Sequence, residues 1–403
     1  MAQRLVIIGA GFAGMYAALS AARLRDACGV SARDLEIALV SPEPVLVVRP
    51  RLYETNPESL TAPLGDVLSA IEVGYVRGKV ETIDTKAQQI DIVIPTGSRR
   101  ILRYDRLVLA TGSRLHRPAI PGLAEYSFSV DQLEDAISLD RHLHDLAKRP
   151  FSKARNTVIV AGGGFTGIEV AAEMPSRLRK ILGQDTRLRV VIIERKSDIA
   201  SDMPAEPRAV IKEALRTSGI EISSGTDIAA LDAAGVTLAD GARIESETVI
   251  WVAGLRATSL TAQIPGMRDE LGRLLVDRDL RVSEAPGVFA TGDACKAACD
   301  DLGNYTVMSG QHAARLGAFA GNNAAAELLG FPTRQYHQKN YVTCLDLGEA
   351  GALFTQGWNR TIALVGEEAK KLKRQINTVW IYPPPATRAA ALASADPERV
   401  IDL

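Results

Sequence analysis

Apolar residues in this chain gather into short runs closed by glycine. Leu5-Val6-Ile7-Ile8 reads as a buried strand, because a continuous apolar run bounded by a turn offers no polar face to water. Gly9-Ala10-Gly11-Phe12-Ala13-Gly14 follows, and then a helical stretch rich in alanine and leucine. The same order recurs at Val158-Ile159-Val160-Ala161, Gly162-Gly163-Gly164-Phe165-Thr166-Gly167 and a second helix-like stretch. The two copies are 153 positions apart, from Gly9 to Gly162. At that offset the next strands, Ile37-Ala38-Leu39-Val40 and Val190-Val191-Ile192-Ile193, also align, and Ser41 falls opposite Glu194.

A single glycine triplet of this kind is a weak signal, but two in equivalent strand–helix settings are hard to obtain by chance. The first glycine permits a tight turn, the second lets backbone approach a pyrophosphate, and the third lets helix and strand pack closely. The helix N-terminus then presents unpaired N–H groups and a partial positive charge to the phosphates. The pattern therefore predicts two dinucleotide cradles in one chain. Glu194 ends the second strand of the second copy, where a carboxylate accepts hydrogen bonds from the adenosine ribose and repels a 2′-phosphate. That favours NADH over NADPH, although Arg195 and Lys196 beside it suit the phosphate. Ser41 holds the matching place in the first copy, either as a weaker ribose partner or as a strand-ending residue before Pro42.

Length and charge narrow the class. The chain has 403 residues, enough for two or three domains. Its 47 basic and 48 acidic side chains leave a net charge of −1, which removes the electrostatic footprint of a nucleic-acid binder. No apolar run approaches the roughly 18 residues of a membrane span. Met1-Ala2-Gln3-Arg4 runs straight into the first strand pattern, so no cleavable signal segment is expected. A cytoplasmic enzyme is the expectation, with any membrane contact peripheral and confined to the inner face.

The chain resembles the two-dinucleotide-binding-domain flavoproteins, the pyridine nucleotide-disulfide oxidoreductase superfamily. The resemblance rests on both glycine motifs, on Ala110-Thr111-Gly112 at a strand end, and on the late Ala290-Thr291-Gly292-Asp293. It implies an α/β fold of two Rossmann-like domains plus a smaller C-terminal α+β domain. Residues 1–115 and 266–330 would bind FAD, residues 116–265 would bind NAD(P)H, and residues 331–403 would form the last domain. It further implies that Asp293, with Gly292, hydrogen-bonds the ribityl chain or flanking phosphate of FAD, and that Val80 meets adenine through its backbone. An Asp there would also serve as a helix N-cap. Phe165, Thr166 and Gly254 are assigned to the nicotinamide site. Within the superfamily the likeness is to type II NADH dehydrogenases and apoptosis-inducing-factor-like relatives, through Arg49-Pro50-Arg51-Leu52-Tyr53, Ser129-Val130-Asp131-Gln132-Leu133-Glu134-Asp135-Ala136 and Gly167-Ile168-Glu169. By that likeness Arg49 lies against the isoalloxazine and Glu169 sits near the nicotinamide; the plain alternative for Glu169 is an exposed helix position.

The implied reaction takes a hydride from NADH to the flavin and passes electrons to a quinone or another small acceptor. Gln311 matches the first of two glutamines that border the quinone in such enzymes, while Arg315 replaces the second. His312 is a candidate proton donor, or a structural histidine. Cys28, Cys295, Cys299 and Cys344 lack the spacing of a redox pair; on a helix Cys295 and Cys299 would share a face, and they read as small packing residues. The Lys370-Lys371-Leu372-Lys373-Arg374 run reads as a solvated helix face, or as a surface for an anionic membrane or an acidic redox partner. Residues 386–403 are too charged and alanine-rich to insert in a bilayer. A reductase for a ferredoxin-like protein and a slowly turning redox-regulated flavoprotein are the competing readings; homodimerisation is compatible with either.

Overall fold

A computed structural model describes residues 3–338 and 340–399. The first apolar run becomes the strand Gln3–Ile8, central in a five-stranded parallel sheet. Its neighbours are Leu35–Ser41 on one side and Arg106–Leu109 on the other, flanked by Gly74–Arg77 and Val288–Ala290. Val288–Ala290 pairs with Arg106–Leu109, so the chain does return to its first sheet after leaving it. The second copy builds a four-stranded parallel sheet in the order Ile220–Ser224, Arg189–Glu194, Thr157–Ala161, Thr248–Trp251.

The duplication extends beyond the glycines. Each sheet receives its last repeat strand through a three-stranded antiparallel meander, residues 79–103 in the first unit and 228–245 in the second. The two units are stitched where Ser113–Leu115 pairs antiparallel with Leu255–Ala257.

Helices α1 (Phe12–Ala27) and α2 (Phe165–Leu182) follow the two glycine loops, and α3 (Gly310–Leu329) lies along α1. Alanine and glycine dominate the α1–α3 seam. A Cβ on Gly317 or Gly321 would overlap the carbonyl oxygens of Ala13 and Ala17. In an exposed helix, glycine to alanine gains about 1 kcal/mol. Here Gly321→Ala is expected to lose about 2 kcal/mol, because the helices must part; a lower urea midpoint at unchanged slope is the measurement. Arg25 is fully buried beneath α1 and donates to the carbonyls of Leu35 (3.1 Å), Ile71 (2.7 Å) and Glu72 (3.1 Å). It satisfies carbonyls that the end of a short helix leaves open.

The C-terminal region pairs Val342–Asp346, Ala352–Gln356 and Thr361–Val365 antiparallel, with α4 (Gly366–Gln375) packed on them. Among the described residues its private core is small, with Ala352, Phe354 and Ala369 buried and Val342, Cys344, Leu364 and Leu372 packed against them. Leu345, Leu347 and Leu353 join the core of the second unit, while Tyr336, Ala391 and Ala395 join that of the first. The helix Arg388–Ala393 folds back on α1, where Arg388 pairs with Asp26 (2.7 Å) and Glu72 (2.9 Å). Residues 400–403 of the alanine-rich tail lie outside the described residues. No described helix is long and apolar enough to cross a membrane.

Candidate functional site

The two glycine loops share one construction. Gly9 and Gly162 both take positive φ, 111° and 121°, a conformation that side chains disfavour. A Cβ on Gly14 would collide with the carbonyl of Gly9, and one on Gly167 with that of Gly162. Around Gly11 and Gly164, by contrast, nothing lies within 4 Å of the place a Cβ would take. Both residues are helix N-caps without a side-chain cap, so the first amides of α1 and α2, from Phe12-Ala13 and Phe165-Thr166, face open space. A pyrophosphate fits that space and that charge.

The late motif closes on the first loop. Gly292, at φ 63°, would bring a Cβ within 2.8 Å of the Ala13 Cβ. Thr291 beside it has a buried hydroxyl with no partner among the described residues. Asp293 is not the N-cap, a position held by Thr291. Its Oδ2 instead accepts from the Ser113 hydroxyl at 2.7 Å and lies 3.8 Å from Arg49. Burial pushes its carboxyl above the usual range, against the opposing pull of Ser113 and Arg49. Arg49 itself is gripped by Asp131, at 2.5 Å through the carboxylate and 3.1 Å through the carbonyl. Asp131 lies in a stretch that carries the family likeness, but the sequence assigns neither it nor Ser113 to the site, since a partner 82 residues away leaves no local pattern.

The ends of the second strands differ between copies. In the second, Glu194 accepts from the Gly163 amide (2.6 Å) and the Lys196 amide (2.8 Å), which fixes its carboxylate at the loop. In the first, the Ser41 hydroxyl donates to the Glu43 carbonyl at 2.6 Å, the strand-ending role. Val80 is buried at a bulge opposite Ile92, just beyond the Gly78 amide that donates to Ser41. The Ala110 amide donates to Ile8, and Thr111 and Gly112 take the hydroxyl (2.6 Å) and amide (3.2 Å) of Thr258.

A cleft of about 370 Å³ runs from the second loop toward the first unit, with Gly164, Phe165, Thr166, Gly254, Arg273 and Met308 in its walls. Met308 leads directly into α3, whose first residue, Gly310, sits against Phe12 and Pro50. The cleft therefore opens from the second cradle onto the segment that leads into α3. A roomier hollow of about 410 Å³, between Phe128, His142 and Asp135, contains neither glycine loop.

Several expectations need correcting. Glu169 is not an exposed helix residue: it is buried, and its Oε1 accepts from Lys373 Nζ (2.7 Å) and the Asp346 amide (3.1 Å). Burial raises its carboxyl above the ordinary value, and Lys373 offsets part of that rise. The lysine run is only in part a solvated face, with Lys371 and Arg374 exposed. Lys373 is buried in that pair and Lys370 is tied to Asp346 at 2.5 Å; the three-residue spacing puts both on one side of α4. His312 is buried, with its Nδ1 3.0 Å from the Ser309 hydroxyl. Desolvation, with Arg360 and Arg273 adding to it, pushes its pKa down to about 3, so it stays neutral and is no proton donor near pH 7. Gln311 accepts weakly from the Val342 amide (3.4 Å), while Arg315 donates to the His337 carbonyl (2.8 Å) and caps Phe319. Cys295 lies in a two-residue strand rather than a helix. It and Cys299 are buried, and desolvation pushes both thiols up, Cys299 to about 12, as packing residues require.

Comparison with known proteins agrees with this geometry. The chain is 44% identical over 397 residues to an NADH dehydrogenase-like protein of Mycobacterium tuberculosis, covering 98% of each. It is 28% identical to a demethylphylloquinone reductase of Synechocystis, covering 87% of this chain and 86% of the other. Its fold matches that of NDH2 from Plasmodium falciparum, solved with NADH, at a TM-score of 0.73, with 16% identity and 98% coverage of each chain. Residues 3–317 match the family model for pyridine nucleotide-disulphide oxidoreductases. This chain, with its paired glycine loops, belongs to the pyridine nucleotide-disulphide oxidoreductase family.

Proposed function

We propose that the protein is an FAD-dependent NADH oxidoreductase that passes electrons to a quinone or a similar small acceptor. One observation carries the reading: two open glycine cradles of identical build occur in one chain, and a cleft opens from the second. When bound, the cofactors supply the hard chemistry, a hydride from the nicotinamide to the flavin and then two electrons onward, with one proton drawn from water to complete the quinol.

The side chains bind, orient and exclude water. The loop at Gly9, Gly11 and Gly14, with Gly292 and Asp293, holds FAD in a domain of residues 1–115 and 266–330. The loop at Gly162, Gly164 and Gly167, with Gly254 and Glu194, holds NADH in residues 116–265. Gln311 and Gly310 at the N-terminus of α3 put a helix dipole at the flavin edge, where it stabilises negative charge. Gln311 borders the acceptor side, whereas Glu169, expected near the nicotinamide, is held in its buried pair with Lys373 and supports the second unit from behind. The quinone reading is supported by the name of the Synechocystis relative. The ferredoxin-like alternative is weakened, because Lys370 and Lys373 of its candidate basic patch are engaged with buried partners, leaving Lys371 and Arg374 exposed. Contact with a membrane is peripheral in this reading, with the exposed Val379 beside Trp380 as the apolar edge.

Anaerobic titration of the purified yellow protein with NADH and NADPH, followed by steady-state assay with a soluble quinone, tests the proposal. Bleaching by NADH and fast quinone turnover are expected; a flavin that NADH leaves oxidised overturns it. Glu194→Ser, with Arg195 kept, is expected to move the NADPH-to-NADH ratio of kcat/KM upward about tenfold, since about 1.4 kcal/mol of repulsion is removed.

A further inference from the structure

We infer that Asp131 is a positioning residue for hydride transfer, acting through Arg49. The inference rests on the proposed flavin and NADH sites. Asp131 lies on the segment that carries the chain from the first sheet to the second, and its side chain is 6% exposed. Its Oδ1 takes Arg49 Nη2 at 2.5 Å, while its Oδ2 takes the Leu115 amide (3.0 Å) and Gln132 Nε2 (2.5 Å). Its own amide donates to the Ser129 hydroxyl at 3.0 Å, and its carbonyl takes Arg49 Nε at 3.1 Å. The guanidinium is therefore fixed at two points by one residue.

That grip has two consequences. Arg49 Nη1 is held 3.8 Å from Asp293 and 3.3 Å from the Ser113 hydroxyl, rather than in full contact with Asp293. Asp293 keeps one oxygen on Ser113 and no described partner on the other, which leaves that oxygen for a ribityl hydroxyl. Leu115 belongs to the strand that pairs with Leu255–Ala257, next to Gly254 in the nicotinamide cleft. One carboxylate thus ties together the cation beside the flavin and the joint that carries the nicotinamide wall. Without Asp131, Asp293 is the nearest remaining carboxylate for Arg49, and the two rings lose their common reference. A displacement near 1 Å is enough to slow such a reaction about 100-fold.

Asp131→Asn tests this, because it keeps the shape and one acceptor but removes the charge. The holoenzyme is expected to fold and to retain its flavin, with a lowered melting temperature. In anaerobic stopped flow, NADH is expected to reduce that flavin about 10- to 100-fold more slowly, with half-saturating NADH changed less than threefold. The flavin midpoint potential is expected to shift upward, since one negative charge is lost nearby. Asp131→Glu, which restores the charge, is expected to recover most of the rate. A reduction rate within threefold of the parent in Asp131→Asn, or equal losses in Asn and Glu variants, overturns the inference. A parent protein without flavin would instead overturn the proposed function.

Discussion

Gly167→Ala is expected to give a protein that remains yellow but is reduced by NADH at least 100-fold less efficiently, whereas Gly14→Ala is expected to emerge largely colourless. Each alanine would force its Cβ into the carbonyl oxygen of the first glycine of its own loop. That oxygen belongs to a residue at positive φ and cannot retreat without undoing the turn. Relief comes by lifting the helix start off the strand, at a cost of about 3 kcal/mol, which is roughly a factor of 100 in kcat/KM. The two loops sit on separate sheets, so the damage stays with the cofactor each loop holds. The visible absorbance of the purified variants and their anaerobic NADH titration read the two outcomes independently. Wild-type reduction by Gly167→Ala would remove the second loop from the nicotinamide site.

Lys373→Met is expected to cost about 3–5 kcal/mol of folding stability at pH 7, the usual price of stranding a buried charge. Glu169 would keep its place between α2 and the C-terminal sheet, with only the Asp346 amide left to it. The pH dependence follows from the direction of its shift. Its folded pKa already lies above the ordinary 4.5 because of burial. Its stabilising contribution is therefore full below that ordinary value and is lost as pH rises through the folded one. Removing the lysine raises the folded value further, so the deficit should shrink between pH 7 and pH 5 as Glu169 takes up a proton. The folded pKa of Lys373 is raised by Glu169, so its half of the ion pair is intact throughout this window and lost only above its ordinary 10.5. Urea melts at both pH values measure the effect. The double variant Glu169→Leu/Lys373→Met should return to within about 1 kcal/mol of the parent, because no charge is left unpaired. Equal losses at pH 7 and pH 5 would argue against an ionised Glu169 as the cause.

What the sequence made legible was whatever repeats or obeys a local rule. The glycine spacings, the strands that precede them and the return of Val288–Ala290 to the first sheet all follow from short-range pattern. The twin meanders escaped notice because their alternating strands carry no glycine signature and their registers slip at bulges. Long-range ion pairs were beyond reach for a different reason. The Lys370–Lys373 run looked solvated because a charge pattern on one helix does not reveal a carboxylate 204 residues away, such as Glu169. His312 looked titratable because its burial against Tyr341 and Trp358 is a property of the assembled fold.

The region after residue 330 has a thermodynamic role set by where its apolar side chains go. Leu345 and Leu353 are embedded with the nucleotide-binding sheet of the second unit, and Tyr336 and Ala395 with that of the first. Neither half can melt without exposing part of this shared mortar. The protein should therefore denature in one cooperative transition, and a polypeptide severed near residue 330 should yield two fragments that need each other to fold.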